Sequence, residues 1–371
     1  MDATKGNIYA ILNGNKQFLI PVYQRYYSWD IEQCKRLWND IVEMQKKNKQ
    51  GHFVGSIVNI AEKAMPTGVQ KYMIIDGQQR MTTLTLLLIA LRDYAVSHPE
   101  DTTINSRRID NMLLKNEYES GDERYKLLLT ETDRDILVKL VEDKPIPEDT
   151  NSRLLANHKF FCDQIATKDL APAEIYESIG KLQIVNITLD RDVDDAQAIF
   201  ESLNSTGKEL SESDLIRNYV LMGLKPDEQT YVYEHLWRPM ELMFEYEKQD
   251  SVMDKFFRDY LTMKQTRIPK IDRVYEEFKL YHLNCEFASI RELCQDLLTY
   301  SRYYTDMVFV RSKNATIKSL YDDINNLRME VAYPFLLKVH NDHAEGVISE
   351  NDLIEVIKMC ISYVFRRSIC D

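Results

Sequence analysis

The sequence contains no CxxC pair. Its six cysteines, Cys34, Cys162, Cys285, Cys294, Cys360 and Cys370, are scattered through 371 residues. That spacing excludes a disulfide frame and a zinc site and fits reduced, intracellular thiols. Glycine and proline are scarce, at 11 and 10 residues, which excludes a fibrous or low-complexity chain. The longest strongly apolar run, near Leu84–Leu91, is too short to span a bilayer, and the opening segment MDATKGNIYAILNG has no signal-peptide core. A cytoplasmic protein with no membrane partner is expected. Basic residues are outnumbered 47 to 59, for a net charge of -12. A chain that coats nucleic acid through its whole surface is excluded, and any contact with DNA must be a local patch. The deficit is uneven: residues 1–80 carry eleven Lys and Arg against seven Asp and Glu.

Several catalytic signatures are missing too. Thr206-Gly207-Lys208 looks like the end of a phosphate-binding loop, but Ser202 stands where the first glycine belongs and Glu209 follows the lysine. His340 and His343 lie three apart with no glutamate between them, and the seven histidines show no metal spacing. There is no Gly-x-Ser-x-Gly elbow.

What is present divides the chain. Phe18–Val22, Phe53–Ile60 and Lys71–Ile75 are short β-branched and aromatic runs that predict strands. Residues 31–49 have helical spacing, and Gln78–Val96 is apolar on most faces, as in a buried helix. Residues 97–125 are polar and predict a loop with one short helix. Leu182–Leu189 alternates like a half-buried strand and is expected to join the N-terminal sheet. Beyond Asp190 the pattern predicts helices over 194–204, 211–223, 229–247, 252–263, 272–282, 286–311, 316–340 and 350–367. The expectation is an α+β protein: a small mixed-sheet domain over 1–100 and a mainly helical domain over 101–371. The last residues still read as helix, and the chain is expected to be part of a longer protein.

Three motifs carry chemistry. In Ile74-Ile75-Asp76-Gly77-Gln78-Gln79-Arg80-Met81-Thr82-Thr83 a strand runs into Asp-Gly and a helix begins at once. A helix start offers unpaired N–H groups and partial positive charge. Gly77 permits close approach, Arg80 adds a forked donor that matches phosphate, and Thr82 and Thr83 add hydroxyls. Together they suit an anion; a plain strand-to-helix turn capped by Asp76 is the alternative. In Pro21-Val22-Tyr23-Gln24-Arg25-Tyr26-Tyr27-Ser28-Trp29 four aromatics flank one Arg and one Gln, which suits base stacking and phosphate contact; packing of Tyr23, Tyr26 and Trp29 into the core is the alternative. In Asp194–Lys208 two helices flank a polar loop turned by Gly207 that would present Asn204 and Thr206, or simply connect them. Ser211-Glu212-Ser213-Asp214 fits a capping box.

Ile20–Trp29, His52-Phe53-Val54-Gly55-Ser56-Ile57, Asp76–Leu84 and Phe200-Glu201-Ser202-Leu203-Asn204-Ser205-Thr206-Gly207-Lys208-Glu209-Leu210 together resemble the N-terminal domain of GmrSD-type restriction endonucleases, in that family's order. The resemblance implies a fold similar to ParB and sulfiredoxin, in which a Gly-x-x-Arg turn, here Gly77 to Arg80, binds nucleotide phosphates. Pro21, Gln24 and Arg25 are similar to the Pro–Gln–Arg stretch of such folds. It further implies binding and hydrolysis of a nucleoside triphosphate (GTP, UTP, CTP or ATP) with Mg²⁺, coupled to antiphage restriction of modified double-stranded DNA. Arg80 and Arg25 would neutralise phosphate, with Gly77, Thr82, Thr83, Asn204 and Thr206 lining the nucleotide. Gln78 or Gln79 would orient water, and Asp76 would bind Mg²⁺ or accept a proton. Pro21, Tyr23, Gln24, Tyr26 and Trp29 would sense the base or the modified DNA. The family's His-Asn-His-type nuclease is expected on another segment or chain: His340-Asn341-Asp342-His343 is too compact to supply it. A homo-oligomer, a nucleotide-gated DNA-binding module with little turnover, and a ParB-like phosphotransferase are the alternatives carried forward.

Overall fold

The computed structural model describes residues 1–62, 68–167, 169–190, 193–204, 210–245 and 250–370. It divides into two compact units, Met1–Gly207 and Lys208–Asp371. The first holds a mixed six-stranded sheet of β1 (Asp2–Gly6), β2 (Lys16–Leu19), β3 (His52–Ala61), β4 (Gln70–Asp76), β5 (Leu127–Leu128) and β6 (Leu182–Leu189), in the order β1-β6-β3-β4-β2-β5. β6 pairs parallel to β3 and antiparallel to β1, β4 pairs antiparallel to β3, and β2 lies parallel to both β4 and β5. The expected strand over 182–189 therefore lies inside the sheet. The sheet unit extends past residue 100, to Gly207, because β5, β6 and the helices between them complete the sheet and its cover.

Its helices are α1 (Ile8–Leu12), α2 (Ile31–Lys46), α3 (Gln78–Ser97), α4 (Ser106–Ile109), α5 (Glu131–Val141), α6 (Arg153–Ala166), α7 (Pro172–Lys181) and α8 (Ala196–Asn204). Helix α3 is the centre: Met81, Leu84 and Leu86–Leu91 are buried, as an all-round apolar pattern demands. Its Arg92 is buried as well, and it reaches Asp110 at 2.9 Å and the carbonyls of Leu140 and Val141, each at 2.8 Å. Asp30 starts α2 with a reciprocal capping box to Gln33. That helix buries Cys34, Leu37, Trp38, Ile41 and Met44, whereas Ile31 at its start is exposed and Val42 half-buried.

Helix α6 packs on α3, and His158 bonds Asp93 across that contact at 3.1 Å. Burial works against a charge on this imidazole. The Asp93 bond and the neighbouring Cys162 outweigh burial and raise the His158 pKa to about 9. A pKa raised on folding contributes stability that is complete below the ordinary histidine value and is lost as pH rises through about 9. The stability of the protein relative to His158→Gln, read by urea unfolding, should therefore fall by on the order of 2 kcal/mol between pH 6.5 and 9.5. Lys126, which burial and Lys16 push down to about 8, titrates in both proteins, so their difference isolates His158.

The second unit is helical: α9 (Glu212–Met222), α10 (Pro226–Val232), α11 (Arg238–Glu245), α12 (Asp250–Gln265), α13 (Val274–Asn284), α14 (Ile290–Val308), α15 (Ala315–Asn326), α16 (Tyr333–Ala344) and α17 (Glu350–Cys370). The predicted helix over 316–340 is two helices, broken where Arg328 turns to φ +53 and Pro334 enters the first turn of α16. Only half of the expected capping box forms: Ser211 Oγ accepts from the Asp214 N–H at 3.1 Å. The Asp214 carboxylate instead meets the buried Arg217 at 2.6 Å, which also meets Glu241 at 2.6 Å. His340–His343 is one turn of α16, with His340 buried against the Tyr321 hydroxyl at 2.9 Å and the other three residues half-buried. No described helix is long and apolar enough to cross a membrane.

Candidate functional site

Strand β4 ends at Asp76 and α3 begins at Gln78, so Gly77 alone makes the turn, at φ +90. A Cβ on Gly77 would stand 2.8 Å from the Ser56 carbonyl oxygen and 3.1 Å from the Ile57 Cα. Glycine is thus required here by the backbone of β3 as well as by the turn. No side chain caps the start of α3. The N–H groups of that first turn thus have no side-chain cap, as an anion site requires, although Gln78 and Gln79 on the same turn are buried.

Arg80 leaves that first turn and donates to the Ser56 carbonyl. Its guanidinium lies on Gly55: a Cβ there would be 2.6 Å away, at a φ of +111. The glycine of the His52–Ile57 motif is therefore the seat of Arg80. Burial raises the Asp76 pKa, while Arg80, the Gly77 N–H and Arg25 pull it back. Burial likewise lowers Arg80, against the pull of Asp76. One carboxylate and two arginines thus share a partly desolvated corner. No group of three or more acidic, His or Cys side chains suited to a metal occurs among the described residues. A single carboxylate such as Asp76 still fits Mg²⁺, which takes one or two carboxylates and completes its shell with phosphate oxygens and waters.

The Pro21–Trp29 stretch folds over the corner as an irregular loop. Pro21, Tyr23 and Gln24 are buried, Tyr23 to 1% exposure, whereas Arg25, Tyr26 and Trp29 are half-buried. Gln24 donates to the Ile75 carbonyl at 2.8 Å. Pro21, Tyr23 and Gln24 thus form the base of the loop, and of the residues expected to sense DNA only Tyr26 and Trp29 reach the surface. The two glutamines expected to orient water hold backbone. Gln78 donates to Arg25 O at 3.1 Å, and Gln79 donates to Tyr26 O at 3.1 Å while accepting from the Ser28 and Trp29 N–H groups at 2.7 and 3.2 Å. Thr83 is buried between the Gln79 carbonyl at 2.8 Å and the Tyr27 hydroxyl at 2.7 Å, so its hydroxyl faces the protein interior. Thr82 does line the cleft that remains between loop and helix, with Arg25, Tyr26, Gln78 and Gln79. That cleft has about 10 Å³ free, room for one water at most.

Asn204 ends α8, which packs against β4; its side chain and all of Thr206 lie outside the described residues. Sequence reasoning missed three side chains that complete the site: Asp133 on α5, which accepts from the Tyr27 N–H at 2.7 Å, and Arg153 and Asn157 on α6, which donate to the Ser28 and Trp29 carbonyls at 3.0 Å each. No local pattern marks them, because they reach the loop only through the tertiary fold.

A mixed sheet that delivers an Asp-Gly turn, an arginine on the first turn of a buried helix and a polar loop above it defines a domain built around a strand-to-helix corner. The profile of the GmrSD restriction endonuclease N-terminal domain matches residues 8–221, more than half of the chain, and the protein belongs to that family. It is a component of a DNA restriction system. No curated protein matches the chain.

Proposed function

We propose that the protein binds and hydrolyses a nucleoside triphosphate at the β4–α3 corner and that this turnover gates restriction of modified double-stranded DNA, with the cut made by a nuclease segment or partner. The observation that carries the reading is Arg80: a partly desolvated guanidinium on the uncapped first turn of a twenty-residue helix, beside Asp76 and within electrostatic range of Arg25. Fixed cationic groups in such a place stabilise charge on a transferring phosphoryl group without reorganising. Phosphate would rest on the open N–H groups after Gly77, with Arg80 released from Ser56 toward it. Asp76 would hold Mg²⁺, which would neutralise phosphate charge. Because the cleft has room for one water only, nucleotide entry requires the Arg25 and Tyr26 side chains to swing aside on a loop backbone that stays in place.

The test is a panel of GTP, ATP, CTP and UTP with Mg²⁺, read by calorimetry and phosphate release, with and without modified duplex. Binding and steady release are expected with at least one of the four; absence of both with all four would sink the reading. A second reading, a nucleotide-gated DNA-binding module with little turnover, is favoured by one observation: the amides of Gln78 and Gln79 hold loop backbone, so neither is poised to orient water. Tight binding with no release beyond a single turnover would select it.

A further inference from the structure

The loop over the corner is unusual in where its backbone hydrogen bonds go. Backbone polar groups away from solvent are ordinarily paired within a helix or a sheet. From Arg25 to Asp30 the loop meets side chains instead. Arg25 and Tyr26 offer carbonyls to Gln78 and Gln79, Tyr27 gives its N–H to Asp133, Ser28 and Trp29 give theirs to Gln79, and Asp30 gives its own to Gln33 at 2.9 Å. The carbonyls of Ser28 and Trp29 go to Arg153 and Asn157. The loop is therefore neither strand nor helix, and it is not slack.

Asn157 is the telling member. It is fully buried, and its amide donates to the Tyr27 hydroxyl at 2.9 Å as well as to Trp29. Its Oδ1 has no hydrogen-bond partner. A core position chosen for packing alone would favour leucine of similar volume, since an unmatched buried acceptor is costly. The geometry points to Asn157 and Arg153 as positioning residues: α6 fixes the loop so that Arg25 and Tyr26 face incoming nucleotide. This rests on the functional reading above and adds to it residues that touch no ligand.

The experiment uses the full chain and the variants Asn157→Leu and Arg153→Met. Arg153 is exposed, so its replacement leaves the core intact should Asn157→Leu fail to fold. Amide hydrogen exchange is read first. Ser28 and Trp29 should exchange about 10-fold faster in the variants, while Leu86–Leu91 of α3 keep their protection. Phosphate release with GTP, ATP, CTP and UTP and Mg²⁺ is read second, and KM should rise about 10-fold with kcat held within about 2-fold. Unchanged loop exchange would overturn the inference, as would an equal fall in kcat with no change in KM. If the parent chain neither binds nor turns over any of the four, the functional reading falls by itself, and the exchange data alone decide whether α6 holds the loop.

Discussion

Arg80→Ala is expected to lower kcat/KM for nucleotide hydrolysis by at least about 100-fold, the scale seen when one fixed donor to developing charge is removed. The fold should survive. Arg80 is only half-buried, its described hydrogen bond is to a single carbonyl, that of Ser56, and its removal leaves the apolar core of α3 untouched. Far-ultraviolet circular dichroism and a melting curve within a few degrees of the parent would establish that. Arg80→Lys should recover a fraction of the rate, because an ammonium supplies charge but lacks the planar fork. Gly55→Ala is the sharper companion. The added methyl would occupy the seat of the guanidinium, 2.6 Å from it, and should depress turnover even though the arginine is present. Normal turnover by folded Arg80→Ala protein would remove the corner from the mechanism.

The second large effect is on stability. Gly77→Ala should destabilise the first unit by roughly 2–4 kcal/mol, combining the cost of a left-handed backbone for alanine with overpacking against β3. In a unit of this size that corresponds to a melting temperature lower by about 5–15 °C. The two parts separate by comparison with Gly77→Asn. Asparagine tolerates a positive φ better than alanine, but its Cβ still meets the Ser56 oxygen, so this variant should recover only a minority of the loss. A Gly77→Ala protein that melts with the parent would mean that the turn relaxes, and that β3 does not hold it as described.

Much of this was legible in the sequence. Strands β3 and β4 and the buried helix α3 followed from β-branched runs and from an apolar pattern too broad for a surface helix. Gly77 was marked by its place between strand and helix. The alternation over Leu182–Leu189 marked β6 as a strand, and with no other strand signal nearby the N-terminal sheet was the simplest place for it. What was not legible depended on partners distant in the chain. β1, with the residues Asp-Ala-Thr-Lys-Gly, has no strand signature and exists because β6 offers it an edge. β5 is two residues long and is a strand only beside β2. The roles of Gln78 and Gln79 were hidden for the same reason: an amide next to a phosphate motif suggests water, and only the folded loop shows that the amides are already engaged. Asp133, Arg153 and Asn157 lie more than a hundred residues from the backbone they grip, beyond any local pattern.

The position of β6 between β1 and β3 has a consequence for biosynthesis. Strand β1, Asp2–Gly6, leaves the ribosome well before its hydrogen-bonded neighbour in the sheet, β6, Leu182–Leu189. At ordinary elongation rates roughly 10–40 s separate the two. During that interval β1 and the adjoining edge of β3 are both unpaired, and the nascent chain must be kept from pairing with its neighbours on a polysome. Translation speed and chaperone supply, more than equilibrium stability, should therefore set the yield of soluble protein.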